Sequence, residues 1–149
     1  MNNFQVPMKP DLNDDFFVLT GTLYGEIRGG TLEAKQNVGQ VIQIRYEDLK
    51  KKNPQATYRE ICLAPYQFSC WNHSDVNRSK ILTDNGHFRT KAWELCAQVA
   101  WNIMQGNNPD RVKGARNYYS LSMAEPPAWS EPPAIITLDD HFNRFVYIP

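Results

Sequence analysis

The sequence predicts an α+β fold, mainly helical, with a small antiparallel sheet near the C-terminus. Apolar residues recur at helical spacing in two long segments of the first half and again around residues 87–105. Strand-like runs are confined to residues after 116, where an Asp-Asp turn separates two apolar segments. A chain of 149 residues suits one hydrophobic core. We therefore expect an extended N-terminal arm at residues 1–12 and a single domain at residues 13–149.

The first helix is predicted from apolar residues at positions i, i+3, i+7 and i+11, which are Phe16, Leu19, Leu23 and Ile27. Asn13 is a suitable N-cap, and Gly29 and Gly30 are typical of the end of a helix. Glu26 is accordingly expected in the last turn.

A carboxylate in that position is unfavourable. The C-terminal end of a helix is electrically negative, and apolar neighbours remove water from the side chain. Both effects raise the pKa of a glutamate, and a carboxyl that stays protonated near neutral pH suits a general acid. The alternative is that Glu26 pairs with Arg28 or Arg45 on the surface.

Two further helices are predicted from their caps. Thr31 begins a helix of roughly 20 residues that continues through apolar positions to three lysines before Asn53. Thr57 and Glu60 form a capping-box pattern that begins a short helix ending near Leu63.

Residues 64–75 form a loop in which aromatic side chains alternate with amides and hydroxyls. Such a mixture suits a sugar, because rings stack on its C–H face while polar groups reach its hydroxyls. The alternative is a hydrophobic loop folded under the domain. Residues 76–86 are expected to be irregular.

The strongest helical pattern runs from about His87 to Gln105 and predicts a central, mostly buried helix in which Cys96 is a small core residue. A short strand is expected at residues 117–121 and a stiff proline-rich loop at 125–133. Residues 135–138 and 141–147 are predicted to form a terminal hairpin.

Charge and composition exclude several classes of protein. Sixteen basic and sixteen acidic residues give no net charge, so the chain lacks the basic excess of a nucleic-acid-binding protein. We expect no membrane anchor, because no apolar stretch approaches the length of a membrane span. Three cysteines do not make a disulfide framework, and reduced thiols are expected. Pairing of Cys62 with Cys70 in an oxidising compartment remains open.

Together these motifs resemble the SleB/CwlJ-type cell-wall hydrolase family. That family has a Tyr-Gly-Glu-Ala-Arg-Gly-Glu-like opening motif, an Asn-Arg pair, a Gln-Phe-Ser loop, a Gly-Ala-Thr-His-Tyr-Tyr-like stretch, a Pro-x-Trp and a Gly-Asn-His-x-Phe-like strand. The corresponding segments here, in the same order, are residues 24–30, 44–45, 67–71, 114–119, 127–129 and 140–142. Gly30 replaces the second acid, Ile44 replaces the asparagine, and Arg116-Asn117 replaces Thr-His, which marks a divergent member.

The resemblance implies a lysozyme-like domain with a substrate cleft and lytic transglycosylase activity on peptidoglycan, with Glu26 as the catalytic acid. Such a reaction needs one carboxylate, since a hydroxyl of the muramic acid itself attacks the anomeric carbon. Most glycosidases need two. Substrate-binding roles are implied for Arg28, for Gln67, Phe68, Ser69 and Trp71 on one wall of the cleft, and for Tyr118 and Tyr119 on the other.

Two other functions remain open. A zinc amidase would need about three ligands, and the available set is His73, His87, His141, Asp75, Cys62 and Cys70. The spacing of these residues does not suggest a site, so no metal or cofactor is expected. A non-catalytic glycan-binding module using the aromatic loop is the second alternative.

The expected partner is the glycan strand of bacterial peptidoglycan, bound by a monomer. The N-terminus lacks the pattern of a secretory signal. We therefore expect a phage-lysin-like protein, made in the host cytoplasm and acting on the wall after release. A bacterial origin is the alternative.

Overall fold

The computed structural model describes residues 4–149 as five α-helices and one three-stranded antiparallel sheet, which confirms the mainly helical α+β prediction. The helices are α1 (Asp15–Ile27), α2 (Leu32–Lys52), α3 (Tyr58–Leu63), α4 (Val76–Leu82) and α5 (Lys91–Met104). The strands are β1 (Asn117–Ser120), β2 (Ile135–Asp139) and β3 (Asn143–Tyr147).

Helix α1 is the centre of the molecule. It packs against α2, α3, α4 and α5, and its residues Phe17, Val18, Leu19 and Leu23 have no exposed surface. A helix that is apolar around most of its circumference has to be surrounded by other elements. Glu26, in its last turn, is thereby half-buried.

The first helix begins one residue later than the sequence suggested. Asp14, and not Asn13, is the N-cap, and its carboxylate accepts hydrogen bonds from the amides of Phe16 and Phe17 at 3.3 Å. The Asn13 amide instead donates to Asp11 Oδ1. Two adjacent residues with cap-forming side chains compete here, and sequence spacing alone did not separate them.

The predicted caps of α2 and α3 are confirmed. Thr31 Oγ1 accepts from the Ala34 amide at 3.1 Å, and Thr57 Oγ1 accepts from the Glu60 amide at 3.2 Å. The three lysines at the end of α2 lie where the helix dipole favours positive charge.

Residues 76–90 differ from the prediction. They contain α4, a helix of seven residues that Asp75 caps through the Asn77 amide. The segment from His87 to Arg89 is a separate 3-10 turn, so the long helix begins only at Lys91, where Thr90 caps it. A helix of two turns offers too few apolar positions for its period to be recognised.

The sheet has the order β1-β3-β2, with Tyr118 opposite Phe145. The predicted hairpin is present, and its turn lies at residues 140–142. The buried Asp140 closes this turn by accepting from the amides of Phe142 and Asn143. Its other oxygen accepts from Asn37 Nδ2 on α2 at 2.9 Å, which fixes the sheet against the helices.

The N-terminal segment, as far as it is described, has no regular secondary structure before α1. Trp93 Nε1 donates to the Pro7 carbonyl at 2.8 Å, and the Phe4 ring packs against Phe16 and Trp101. Residues 1–3 of the predicted arm lie outside the described residues. No helix in residues 4–149 is long and apolar enough to span a membrane.

Candidate active site

Glu26 lies in the last turn of α1, where its side chain is half-buried. Tyr118 Oη, on β1, donates a hydrogen bond of 2.8 Å to Glu26 Oε1. This contact joins residues 92 positions apart and holds the carboxyl between the central helix and the sheet. No residue within 4–149 forms an ion pair with Glu26. The structure therefore lacks the surface ion pair with Arg28 or Arg45 that was the alternative.

The surroundings of Glu26 raise its pKa. Burial is the largest cause, because removal of water disfavours the charged carboxylate. The hydrogen bond from Tyr118 opposes this effect, the negative charge of Asp75 adds to it, and the positive charge of Arg45 opposes it. The net result is a carboxyl that holds its proton to a higher pH than an exposed glutamate does.

The helix dipole at the end of α1 contributes less to the raised pKa of Glu26 than the sequence suggested. The buried Lys35 ammonium donates to the carbonyl oxygens of Arg28 and Gly30, just beyond the helix. A cation at this position compensates the negative end of the helix dipole. Loss of solvent is therefore the main reason for the raised pKa of Glu26.

Arg45 connects the two sides of the site. Its Nε donates to the Arg116 carbonyl at 2.8 Å, directly before β1. Its Nη1 is 3.4 Å from Gln67 Oε1, and its guanidinium lies 5.6 Å from the centre of the Phe68 ring. Burial lowers the pKa of this guanidinium, while the nearby acidic groups oppose that shift.

The loop at residues 64–75 packs closely against α1 beside Glu26. A Cβ on Gly25 would come within 2.5 Å of Cys70 Cβ, so the loop can approach α1 only because residue 25 is a glycine. Trp71 Nε1 donates to Thr22 Oγ1 at 2.9 Å, one turn before Glu26.

Within this loop the predicted sugar-binding residues divide into two groups. Gln67 and Ser69 are exposed beside the site, as a contact with substrate requires. Phe68 and Trp71 are only 2% and 8% exposed. Their rings are packed mainly in the core, which leaves little surface for a sugar, and their substrate-binding role stays a prediction.

The two adjacent tyrosines lie on opposite faces of β1, as alternation along a strand requires. Tyr118 contacts Glu26, whereas Tyr119 is 9% exposed and packs against Trp129 with ring centres 5.8 Å apart. Only Tyr118 is therefore placed to act at Glu26. Its own pKa is raised well above the usual value by burial and by the adjacent Glu26 carboxylate.

Arg28 points away from Glu26. Its Nη2 donates to Asn77 Oδ1 at 2.9 Å and its Nη1 to the Tyr24 carbonyl at 3.3 Å, so the side chain joins α1 to α4. The pairing of Glu26 with Arg28 that the sequence left open is therefore absent, and binding of substrate by Arg28 stays a prediction.

The described part of the chain contains no group of three His, Cys, Asp or Glu side chains arranged to hold a metal ion. Of the histidines proposed as zinc ligands, His87 is buried, with Nδ1 2.8 Å from Asn85 Oδ1 and Nε2 3.1 Å from the Ile81 carbonyl. Its burial lowers its pKa. His73 and His141 are exposed.

The sequence did not single out Gly25, and it suggested Arg45 only as a surface partner of Glu26 and Asp75 only as a possible zinc ligand. Gly25 and Arg45 belong to segments that carry the family resemblance, which was the available signal for their place in the site. No signal placed Asp75 near Glu26, because only the fold brings the cap of α4 close to the end of α1.

A family model described as Cell Wall Hydrolase matches residues 29–142 of the chain. The match begins three residues after Glu26, so it supports the class of protein while the role of Glu26 depends on the geometry described above. Comparison with curated proteins found no match, and neither did comparison with solved structures.

Proposed function

The chain belongs to the cell wall hydrolase family, which acts on peptidoglycan, and from this premise we propose that it cleaves the glycan strand with Glu26 as its proton donor. One observation carries the proposal. Glu26 is half-buried with a raised pKa, and a tyrosine hydroxyl holds it in place between a helix and a sheet strand. When a glycosidic bond breaks, the leaving oxygen needs a proton, and a protonated carboxyl held in a fixed orientation can donate it.

The reaction we propose is lytic transglycosylation. Glu26 gives its proton to the glycosidic oxygen while the bond from that oxygen to C1 of N-acetylmuramic acid breaks. The C6 hydroxyl of the same sugar then attacks C1, and Glu26 takes up the proton of that hydroxyl. A 1,6-anhydro ring forms, water is not consumed, and Glu26 returns to its initial state.

Tyr118 suits both steps. Its hydroxyl donates to the carboxylate that exists after the first proton transfer, when a hydrogen bond to the charged form is strongest. Arg45 supports the same charged form through its nearby positive charge, and it keeps the loop and β1 in place on either side.

Asp75 favours a second candidate reaction, ordinary hydrolysis. Its charge is close enough to influence the pKa of Glu26, and a glycosidase that uses water needs a second carboxylate. Asp75 Oδ1 already accepts from the Asn77 amide at 2.8 Å as the cap of α4. We favour the one-carboxylate reaction, because a capping role is sufficient to explain Asp75.

Mass spectrometry of digested peptidoglycan separates these reactions. The proposal predicts 1,6-anhydro ends from the native chain and from Asp75→Asn, since asparagine also caps helices well. Reducing ends that disappear in Asp75→Asn would favour hydrolysis. Free stem peptides with intact glycan would indicate an amidase, and the absence of any product would indicate a binding module.

A further inference from the structure

A pocket of about 420 Å³ lies at the loop that packs against the end of α1. It is lined by residues 63–66 and by Trp71, Asn72, His73 and Ser74. Its volume falls within the range of small-molecule sites. The reaction proposed for Glu26 does not use this pocket.

Tyr66 is held in an unusual conformation at the rim of the pocket. Its φ of 63° is in the left-handed region, which an aromatic residue rarely adopts, and its side chain is 88% exposed. Packing in the core cannot explain this conformation, because the ring makes almost no contact with the domain. Backbone strain of this kind is concentrated at binding and catalytic sites.

Three other residues that line the pocket offer hydrogen-bonding groups. The side chains of Asn72, His73 and Ser74 supply an amide, an imidazole and a hydroxyl, and none of the three is hydrogen-bonded to another described residue. None of the residues lining the pocket is Asp, Glu, Lys or Arg. A lining of aromatic and polar side chains without Asp, Glu, Lys or Arg suits a neutral sugar better than a stem peptide, which carries carboxylates.

The pocket is connected to Glu26 through Trp71. Trp71 donates to Thr22, and Thr22 precedes Glu26 by four residues on the same face of α1. Four residues of an α-helix advance about 6 Å, so Trp71, which lines the pocket, is anchored to α1 about one turn before Glu26.

We propose that this pocket is a second binding site for an N-acetylated hexosamine of the same glycan strand, with Tyr66 stacking on the sugar ring. The inference rests on the proposed glycan substrate. It adds to that proposal the place where a sugar unit distant from the cleaved bond is held. Tyr66 is a binding residue in this proposal and takes no part in proton transfer.

The experiment uses oligomers of N-acetylglucosamine, titrated into the full chain carrying Glu26→Gln so that no cleavage interferes. Nuclear magnetic resonance should show shifts of the signals of Tyr66 and His73. Tyr66→Ala should weaken binding about three- to tenfold, the range expected for loss of one aromatic contact. Tyr66→Gly is a second variant that removes the ring while accommodating the left-handed backbone.

The matched control is Tyr147→Ala, which removes a partly exposed tyrosine from β3. It should leave the affinity for the oligomer unchanged. In the catalytically active chain, Tyr66→Ala should raise KM for long glycan strands and leave kcat close to that of the native protein.

Two results would overturn this proposal: unchanged affinity in both Tyr66 variants, or binding of stem peptide in place of the oligomer. The proposed function fails separately, if Glu26→Gln still cleaves peptidoglycan. If Glu26→Gln loses cleavage while Tyr66→Ala keeps its affinity, the pocket is not a sugar-binding site, whereas the reaction proposed for Glu26 still stands.

Discussion

At the scale of single residues, the proposed reaction depends on the raised pKa of one carboxyl, that of Glu26. Glu26 was identified from a motif, but the cause of its raised pKa was assigned in part to the helix end. Lys35 compensates that end, and burial dominates instead. The sequence could single out Glu26, whereas its hydrogen-bond partner Tyr118, 92 residues away, is brought beside it by the sheet.

Tyr118→Phe tests the hydrogen bond to Glu26. In the native chain this bond lowers the pKa of Glu26, so its removal should raise that pKa further and move the alkaline limb of the rate profile to higher pH. The maximal rate should fall about 10- to 100-fold, since a hydrogen bond to a charged group contributes about 1.5–3 kcal/mol. An unchanged pH profile, measured on purified peptidoglycan, would contradict this role.

Glu26→Gln should stabilise the fold at neutral and alkaline pH. A carboxyl whose pKa is raised in the folded state contributes stability below its unfolded pKa and loses it as pH rises through the folded pKa. Glutamine avoids this loss and still accepts from Tyr118. Thermal unfolding should show a higher Tm for the variant at pH 8 and nearly equal values at pH 4. A lower Tm at pH 8 would argue against desolvation of Glu26.

At the scale of elements, capping residues were the most useful sequence signals. Thr31 and Thr57 predicted the first residues of two helices correctly, because a cap is a local interaction. The predictions failed where neighbours competed, as at Asn13 and Asp14, or where an element was too short, as in α4. The sequence drew attention to the loop at residues 64–75, but which of its rings face the core is decided by packing against α1.

That packing can be tested at the contact between α1 and the loop. Gly25→Ala forces a Cβ into Cys70 and should destabilise the protein by about 1–3 kcal/mol, as overpacking does. Because the displaced loop would admit water to Glu26, the alkaline limb of the rate profile should also move to lower pH.

Gly29→Ala is the matched control, since a Cβ there meets no atom within 4 Å. It should change the free energy of unfolding by less than about 0.5 kcal/mol, the usual limit for surface substitutions. Equal effects of the two substitutions on stability and on the pH profile would show that the close approach of the loop has no special role.

At the scale of the whole molecule, one hydrophobic core encloses all three cysteines. All three thiols are free and at most 1% exposed: Cys62, Cys70 and Cys96. In this structure, therefore, Cys62 and Cys70 do not form a disulfide bond. Burial raises the pKa of Cys62 and of Cys96 to about 12. The raised pKa disfavours the nucleophilic thiolate, and burial keeps reagents from reaching the sulfur.

A thiol-reactive dye at neutral pH should consequently label the folded chain only as fast as it unfolds. The expected result is negligible labelling in native buffer and labelling of three thiols in denaturant, with no effect of reducing agents on activity. Rapid labelling of Cys70 alone in native buffer would show that the loop opens independently of the core and exposes Glu26.

The central claim is that the Glu26 carboxyl transfers the proton on which cleavage depends. The most direct measurement is the release of soluble glycan fragments from purified peptidoglycan by Glu26→Gln, with Glu125→Gln as the control at an exposed glutamate. We predict a loss of about 10²- to 10⁴-fold for Glu26→Gln, the contribution typical of general acid–base catalysis, and native activity for the control. Cleavage by a folded Glu26→Gln variant within a few-fold of the native rate would contradict the account.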